Sequence, residues 1–383
     1  MRENPDRPTV APFRRRSFLA SAALAAGASA AVAGTAQAAV PSAGGQRAAH
    51  RQGAVARLLA VPEDGRGVEW LREALQVAVT LELATIPPYL CGWWSIKDRG
   101  AEAARLIRRI VGDEMFHLGI VCNLLVAVGG RPRIKAAAAT YPGPLPGGVR
   151  AGVNVYLSGL TRSSVHDVMM AIEAPEESPE GRADASPTVG HFYGDMLKAF
   201  QNVAPELSVR GQLSVHIGSD ELRPVETPDD VERAIEIIRE QGEGTGSSPS
   251  DSFGDDHPAH YYAFGEIYYG RELRETDDGW RFVGPPVPFP DVRPMAPVPA
   301  GGWPNPPAQV RQLLHRFDAT YSAVLENLEA AWAGGGPRTL GAAVHAMRGL
   351  GTPAKELMEI PIPGTRGTYG PQFRPLPKLR REH

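Results

Sequence analysis

Glu114 and His117 stand three residues apart in the run Asp113-Glu114-Met115-Phe116-His117-Leu118. In a helix that spacing projects both side chains from one face. The face is apolar, because Ile107, Ile110 and Val121 fall on the same stripe. A carboxylate aimed into a core is costly unless it is paired or bound to a cation. Glu-x-x-His on an inward face therefore points to half of a dimetal carboxylate site. Glu82 repeats the anomaly, continuing the stripe of Leu71, Leu75, Ala78 and Val79 on an earlier helix. It lies 17 residues before Arg99, and Glu114 lies 15 after it. Two antiparallel helices folded at Arg99-Gly100 thus bring both carboxylates to nearly the same height. A salt-bridged buried Glu is the plainer alternative, but two level glutamates favour a metal.

The remaining ligands must come from later segments. Glu173 ends a short third helix, where a solvated carboxylate is an equal alternative. His191 sits at the edge of an apolar helical face, a place that suits a surface histidine somewhat better than a ligand. Glu243 lies in Gln241-Gly242-Glu243-Gly244, where glycines let the backbone approach something closely. His260 opens the aromatic run His-Tyr-Tyr-Ala-Phe-Gly-Glu and offers a second imidazole, while Glu266 reads as structural. A site rich in carboxylate and poor in imidazole suits hard to borderline divalent metals. Tyr89, Trp93, Trp94, Tyr193, Tyr261 and Tyr262 either line an access channel or are ordinary core aromatics.

The elements that must position these groups are helices. The apolar periodicity predicts helices over 68–96, 101–128, 164–174, 187–202, 228–241, 260–270, 308–333 and 339–359. Pro87 and Pro88 remove donors to the carbonyls of Leu83 and Ala84, so the first helix is expected to kink one turn past Glu82. The class is mainly α, with an antiparallel bundle at 67–300 and C-terminal helices and tail at 301–383, joined by long Pro/Gly-rich loops. Residues 39–66 read as a linker. Before it, Arg14, Arg15 and Arg16 precede Ser17-Phe18-Leu19 and an Ala/Gly/Val-rich stretch that ends at Ala36-Gln37-Ala38. That reads as a twin-arginine export signal over 1–38. No later stretch approaches about 20 apolar residues, so no stable membrane insertion is expected after cleavage. Forty Lys and Arg against 43 Asp and Glu give a net charge of −3, which offers no basic field for nucleic acid. Cys91 and Cys122 lie on opposite sides of the level glutamates, roughly 25 Å apart along the bundle at 1.5 Å per residue, so both are expected to be free.

Taken together, these motifs resemble a known family. Leu81-Glu82-Leu83-Ala84-Thr85-Ile86-Pro87-Pro88-Tyr89-Leu90 and Asp113-Glu114-Met115-Phe116-His117-Leu118 are similar to the first two helix signatures of the ferritin-like iminophenyl-pyruvate dimer synthase domain. The likeness continues through Ile172-Glu173-Ala174-Pro175, Val189-Gly190-His191-Phe192-Tyr193, Gln241-Gly242-Glu243-Gly244 and His260-Tyr261-Tyr262-Ala263-Phe264 to Gly370-Pro371-Gln372-Phe373. It implies a ferritin-like four-helix bundle with a dinuclear iron centre and a small-molecule substrate. It also implies an oxidoreductase or an enzyme that processes imines or carbonyls, since family members couple two imines made from oxidised tryptophan. A non-catalytic metal-binding or structural bundle is the alternative. Family members often carry Glu where this chain has His191, which marks His191 as a candidate exchanged ligand.

Overall fold

The computed structural model describes residues 53–175, 186–217, 220–244, 249 and 257–377. The expected export signal and the first part of the expected linker lie outside them. Two long helices form the centre: α2 (Val68–Ser95) and α3 (Glu102–Ala127). The short loop between them turns the chain back, so the two pack along their length. Before them stands α1 (Ala54–Leu59), within the stretch read as linker. The correction has a packing cause: Val55 and Leu58 are buried in the main core, and Arg66 pairs with Asp195 at 3.0 Å.

Both prolines are accommodated inside α2, which runs on to Ser95. Pro88 cannot donate to the carbonyl of Ala84, and the Tyr141 hydroxyl donates to that carbonyl instead at 2.7 Å. A substitute donor thus replaces the missing helical bond.

After the short helix α4 (Ile134–Ala137) and the two-residue strands β1 (Gly143–Pro144) and β2 (Asn154–Val155), the chain forms a third rod, α5. It comprises Arg162–Ser164, Val165–Met170 and Ala171–Glu173, with the middle six residues in the wider π form. Helices α6 (Val189–Val203), α7 (Pro228–Glu243) and α8 (His260–Tyr269) complete the layer over the α2–α3 pair. Thr188 caps α6, while Thr227 and Asp230 form a reciprocal cap at α7 with Pro228 in its first turn. The segment between α6 and α7 holds a hairpin of β3 (Val215–Ile217) and β4 (Asp220–Leu222). A second hairpin, β5 (Arg271–Thr276) with β6 (Gly279–Pro286), follows α8. Its turn ends on Asp278-Gly279, a hairpin signal that the helical reading passes over.

The last pair, α9 (Ala308–Ala330) and α10 (Gly336–Met358), is a second antiparallel hairpin set against α2. Asn123, fully buried on α3, ties these layers together. Its amide donates to the carbonyls of Leu213 and Arg223, and its oxygen accepts from Leu213 N and Trp332 Nε1, all between 2.9 and 3.0 Å. Among the described residues two helices, α2 and α3, are long and apolar enough to cross a membrane, contrary to the sequence expectation, and most of each apolar window is buried inside the fold. Cys91 and Cys122 are free and buried, as the hairpin geometry requires.

The C-terminal tail is pinned to α9 by a buried carboxylate. Asp318 accepts from Gln372 Nε2 at 3.1 Å and from Arg374 N at 3.0 Å. Burial outweighs those bonds and pushes its carboxyl from the usual 3.8 up to about 6. The folded chain thus holds this proton more tightly than the unfolded one, so the contribution is complete below pH 3.8 and lost as pH rises through about 6. Relative to Asp318→Asn, the wild type should lose on the order of 2 kcal/mol across that window. Urea midpoints measured from pH 3.5 to 7 check it; parallel curves for the two proteins would refute it.

Candidate metal centre

Glu82 on α2 and Glu114 and His117 on α3 face one another inside the bundle, each at most 4 % exposed. His117 Nδ1 lies 3.6 Å from Glu82 Oε2 and 3.8 Å from Glu114 Oε1. On the far side of Glu114 stands a second group. His260, the first residue of α8, places Nδ1 2.9 Å from Glu114 Oε1 and 3.8 Å from Glu173 Oε2, at the end of α5. Two triads therefore meet within ion-binding reach, Glu82–Glu114–His117 and Glu114–Glu173–His260, and Glu114 belongs to both.

The two imidazoles are set in the same way. His117 Nε2 stands 2.7 Å from Gln241 Oε1, and His260 Nε2 stands 3.2 Å from Asp113 Oδ2. Each partner is an acceptor, so each Nε2 is held as a donor and each Nδ1 is the ring nitrogen that faces the carboxylates. Outer partners of this kind fix the tautomer and ring orientation of a metal-binding histidine. Arg109 in turn pairs with Asp113 at 3.4 Å. The carboxylates are held too. Thr85 donates to Glu114 Oε2 at 2.6 Å, Tyr89 to Glu173 Oε1 at 2.5 Å, and Tyr193 to Glu82 Oε1.

Glu243 and His191 occupy different places. Glu243 is the last residue of α7, lines the same small cavity, and accepts from Gly190 N at 2.9 Å, outside both triads. A Cβ at position 190 would meet its Oε2 at 2.3 Å, so only glycine permits this approach. His191, next in sequence, is exposed, and its ring joins neither triad. That corrects its candidacy. The inward stripe of α6 is Phe192, Tyr193 and Met196, which turns position 191 outward. Glu266 is structural as expected, accepting from Leu273 N at 2.8 Å. Of the six aromatics, Tyr89 and Tyr193 are bound to site carboxylates. Sequence reading missed Asp113, Gln241 and Thr85 as supports, although Asp113 adjoins Glu114 in the motif itself.

Burial makes this arrangement costly without a cation. Burial and the neighbouring Glu173 push Glu114 up to about 7, even though His260 and His117 pull the other way. Burial opposes charge on both imidazoles. Even so, Asp113, Glu114 and Glu173 carry His260 well above its ordinary value, and Glu82 and Glu114 raise His117. Protons thus gather where a cation would sit. His260 Nδ1 makes no hydrogen bond despite its 2.9 Å approach to Glu114 Oε1, because the alignment is wrong for one. A ring nitrogen without a hydrogen bond beside a carboxylate oxygen fits a shared metal, and the oxygen-rich, two-imidazole donor set fits hard to borderline divalent ions. Because its ligands bind metal deprotonated, affinity should rise with pH through about 7 as Glu114 gives up its proton. Glu114→Gln should cost more bound metal than Glu82→Gln or Glu173→Gln, since only Glu114 serves both triads. Gln241→Leu, which frees the His117 tautomer, should weaken binding roughly 10- to 100-fold. Titration with a divalent metal monitored by calorimetry decides both; equal stoichiometry in all four variants would dismantle the assignment.

Residues 75–269, which carry both triads, match the family model described as Ferritin-like. A solved structure of a ferritin like protein from Caulobacter vibrioides is similar to this chain at 23 % identity, with a TM-score of 0.57. The match covers 79 % of this chain and 97 % of that one, and at such identity it speaks for the fold alone. No functionally curated protein matches the chain. With half of its length in the family match and a mainly helical fold around buried Glu/His groups, the chain belongs to the ferritin-like family.

Proposed function

We propose that the two triads hold a dinuclear iron centre and that the protein is an exported oxidoreductase acting on dioxygen or a peroxide. The observation that carries this reading is the sharing of Glu114, which places two ligand groups side by side within one buried cluster. Bound iron supplies one-electron redox chemistry and Lewis acidity to a small oxidant. The chain's own groups govern access and protons. The cavity bounded by Glu82, Glu114, His117, Glu173 and Glu243 has a volume of about 30 Å³, room for water or a diatomic molecule and for nothing as large as an indole. Glu243, pushed up to about 7 by burial, can hold a proton at the cavity wall near neutral pH or release it. The Tyr89 and Tyr193 phenols keep theirs, raised well above the ordinary value by burial and the adjoining carboxylates, and so donate steadily to Glu173 and Glu82.

A second reading is imine coupling of the iminophenyl-pyruvate dimer synthase kind. It is favoured by the convergence of four of its motif segments on one cluster, at Glu82, at Glu114 with His117, at Glu173 and at His260. The small cavity places it behind the first, because an aromatic imine does not fit. A storage or structural bundle is the non-catalytic counterpart.

Protein recovered from its native export route should carry about two iron ions per chain and consume hydrogen peroxide or dioxygen. Glu114→Gln should lose at least tenfold of both. Stoichiometric metal without consumption of either oxidant would instead support the non-catalytic bundle. Export itself rests on Arg15 and Arg16, so changing both to Lys should leave uncleaved protein inside the cell. Normal twin-arginine export of that variant would remove the localisation from the proposal.

A further inference from the structure

A larger cavity lies on the other side of the α2–α3 pair. Its volume is about 550 Å³, within the range of small-molecule sites and far above the voids of a close-packed interior. The walls come from α2, α3, the β3–β4 hairpin, α9 and α10, with Phe373 of the tail. It shares no lining residue with the cavity at the Glu/His cluster. On α2 the division follows helical geometry: Glu82 and Thr85 line one cavity, while Leu83, Ile86 and Leu90 line the other.

The chemistry of the lining is one-sided. Nearly every wall is aliphatic or aromatic, and among the described residues no carboxylate takes part. Six of the lining residues are exposed and so stand at the rim: Pro337, Gly341 and Val344, and beside them the polar His216, His345 and Arg348, which are cationic or can become so. Trp332 is buried, and its ring N–H is already spent on Asn123 Oδ1, so it offers the cavity an apolar face. Gly341 of α10 stands at the mouth, exposed, and a Cβ there would meet nothing within 4 Å, so a larger side chain can be placed at this edge of the cavity.

We propose that this cavity binds an amphiphilic carboxylate, a small molecule with an apolar chain or ring system inside and its single carboxylate at the rim on Arg348 and the two histidines. Burial of the apolar body supplies the affinity, and the rim charge selects the head group. A dry apolar pocket with a one-sign rim separates this ligand from an amine, which the rim repels, and from an alcohol, which gains only neutral hydrogen bonds. The proposal stands apart from the redox reading and survives its failure, because the two cavities are independent.

The test uses the full chain, with dodecanoate, dodecanol and dodecylamine as probes, followed by calorimetry and by tryptophan fluorescence. Dodecanoate should bind saturably at one site, at least about tenfold more tightly than either of the others. Arg348→Glu should weaken dodecanoate at least tenfold and leave dodecanol unchanged. Gly341→Leu and the bulkier Gly341→Trp should fill the space and abolish both, while metal content stays at the wild-type level. If the tryptophan variant misfolds, the leucine and Arg348→Glu variants decide. Failure of dodecanoate to saturate, equal binding of the three probes, or unaltered binding in Gly341→Leu would overturn the proposal. So would a dimer in analytical ultracentrifugation that Gly341→Trp dissociates, because a second copy of the chain would then be the occupant.

Discussion

The carboxylate of Glu114 is the constraint around which the molecule is arranged. It is 2 % exposed, stands level with Glu82 across the helix pair, and touches both imidazoles and the Thr85 hydroxyl. A lone ionised carboxylate in such a place would be prohibitively destabilising, so the surroundings must supply positive charge, protons or donors. Each neighbour answers that demand. The tyrosines donate to the flanking glutamates, the two imidazoles bring positive charge beside the carboxylates, and a divalent ion would offset what these leave uncompensated. The same demand explains why charged partners form an outer ring, Arg109 to Asp113 to His260, rather than entering the cluster directly. An arginine inside would neutralise the ligands and close the site to metal.

Much of this was legible in the chain before any coordinates, and the reason is local. Glu82, Glu114 and His117 belong to a single helical hairpin, so period and loop position set their relative height. Glu173 and His260 are legible as candidates because one ends a helix beside its stripe residue Ile172 and the other opens an aromatic run that offers a second imidazole. The supports were not legible, since they act over long separations: Gln241 reaches His117 from 124 residues away, and Asp113 meets His260 across 147. No periodicity encodes which acceptor stands behind which ring.

The misreadings have equally physical causes. His191 was placed near the inward edge of its helix by period alone, where a rotation of one residue, about 100°, separates ligand from surface. The end of α5 was ambiguous because six of its residues adopt the wider π form, which shifts the face that a 3.6-residue count would assign to Glu173. Residues 53–66 lack a periodic stripe long enough to reveal a helix of six residues, yet two buried side chains and the Arg66–Asp195 pair suffice to dock them. At Pro88 of α2 the carbonyl freed is that of Ala84, and its substitute donor comes from Tyr141, 57 residues away, a separation that no local pattern encodes.

The central hairpin is also buried on both sides, and this resolves its composition. A helix that faces solvent needs a polar stripe, and a helix that lies in a membrane needs none. Helices α2 and α3 approach the second pattern in length and hydropathy, yet their apolar windows are 83 % and 89 % buried within the protein. The cover on one side is the layer of α5 to α8, which brings Glu173 and His260 to the glutamates. On the other it is the α9–α10 hairpin, which adds only apolar surface and the Asn123–Trp332 bond. Polar chemistry is therefore confined to one face of each central helix, and a shift of α2 by a single residue would rotate Glu82 and Thr85 by about 100°, towards the apolar side. Anchors at several points along α2 oppose that shift. Tyr141 takes the freed carbonyl of Ala84, Tyr193 holds Glu82, and Trp94 near the helix end stacks on Phe373 of the tail. Retaining the C-terminal tail thus serves the buried cluster at a distance, by fixing the register of the helix that carries Glu82, one of the three residues of its first triad.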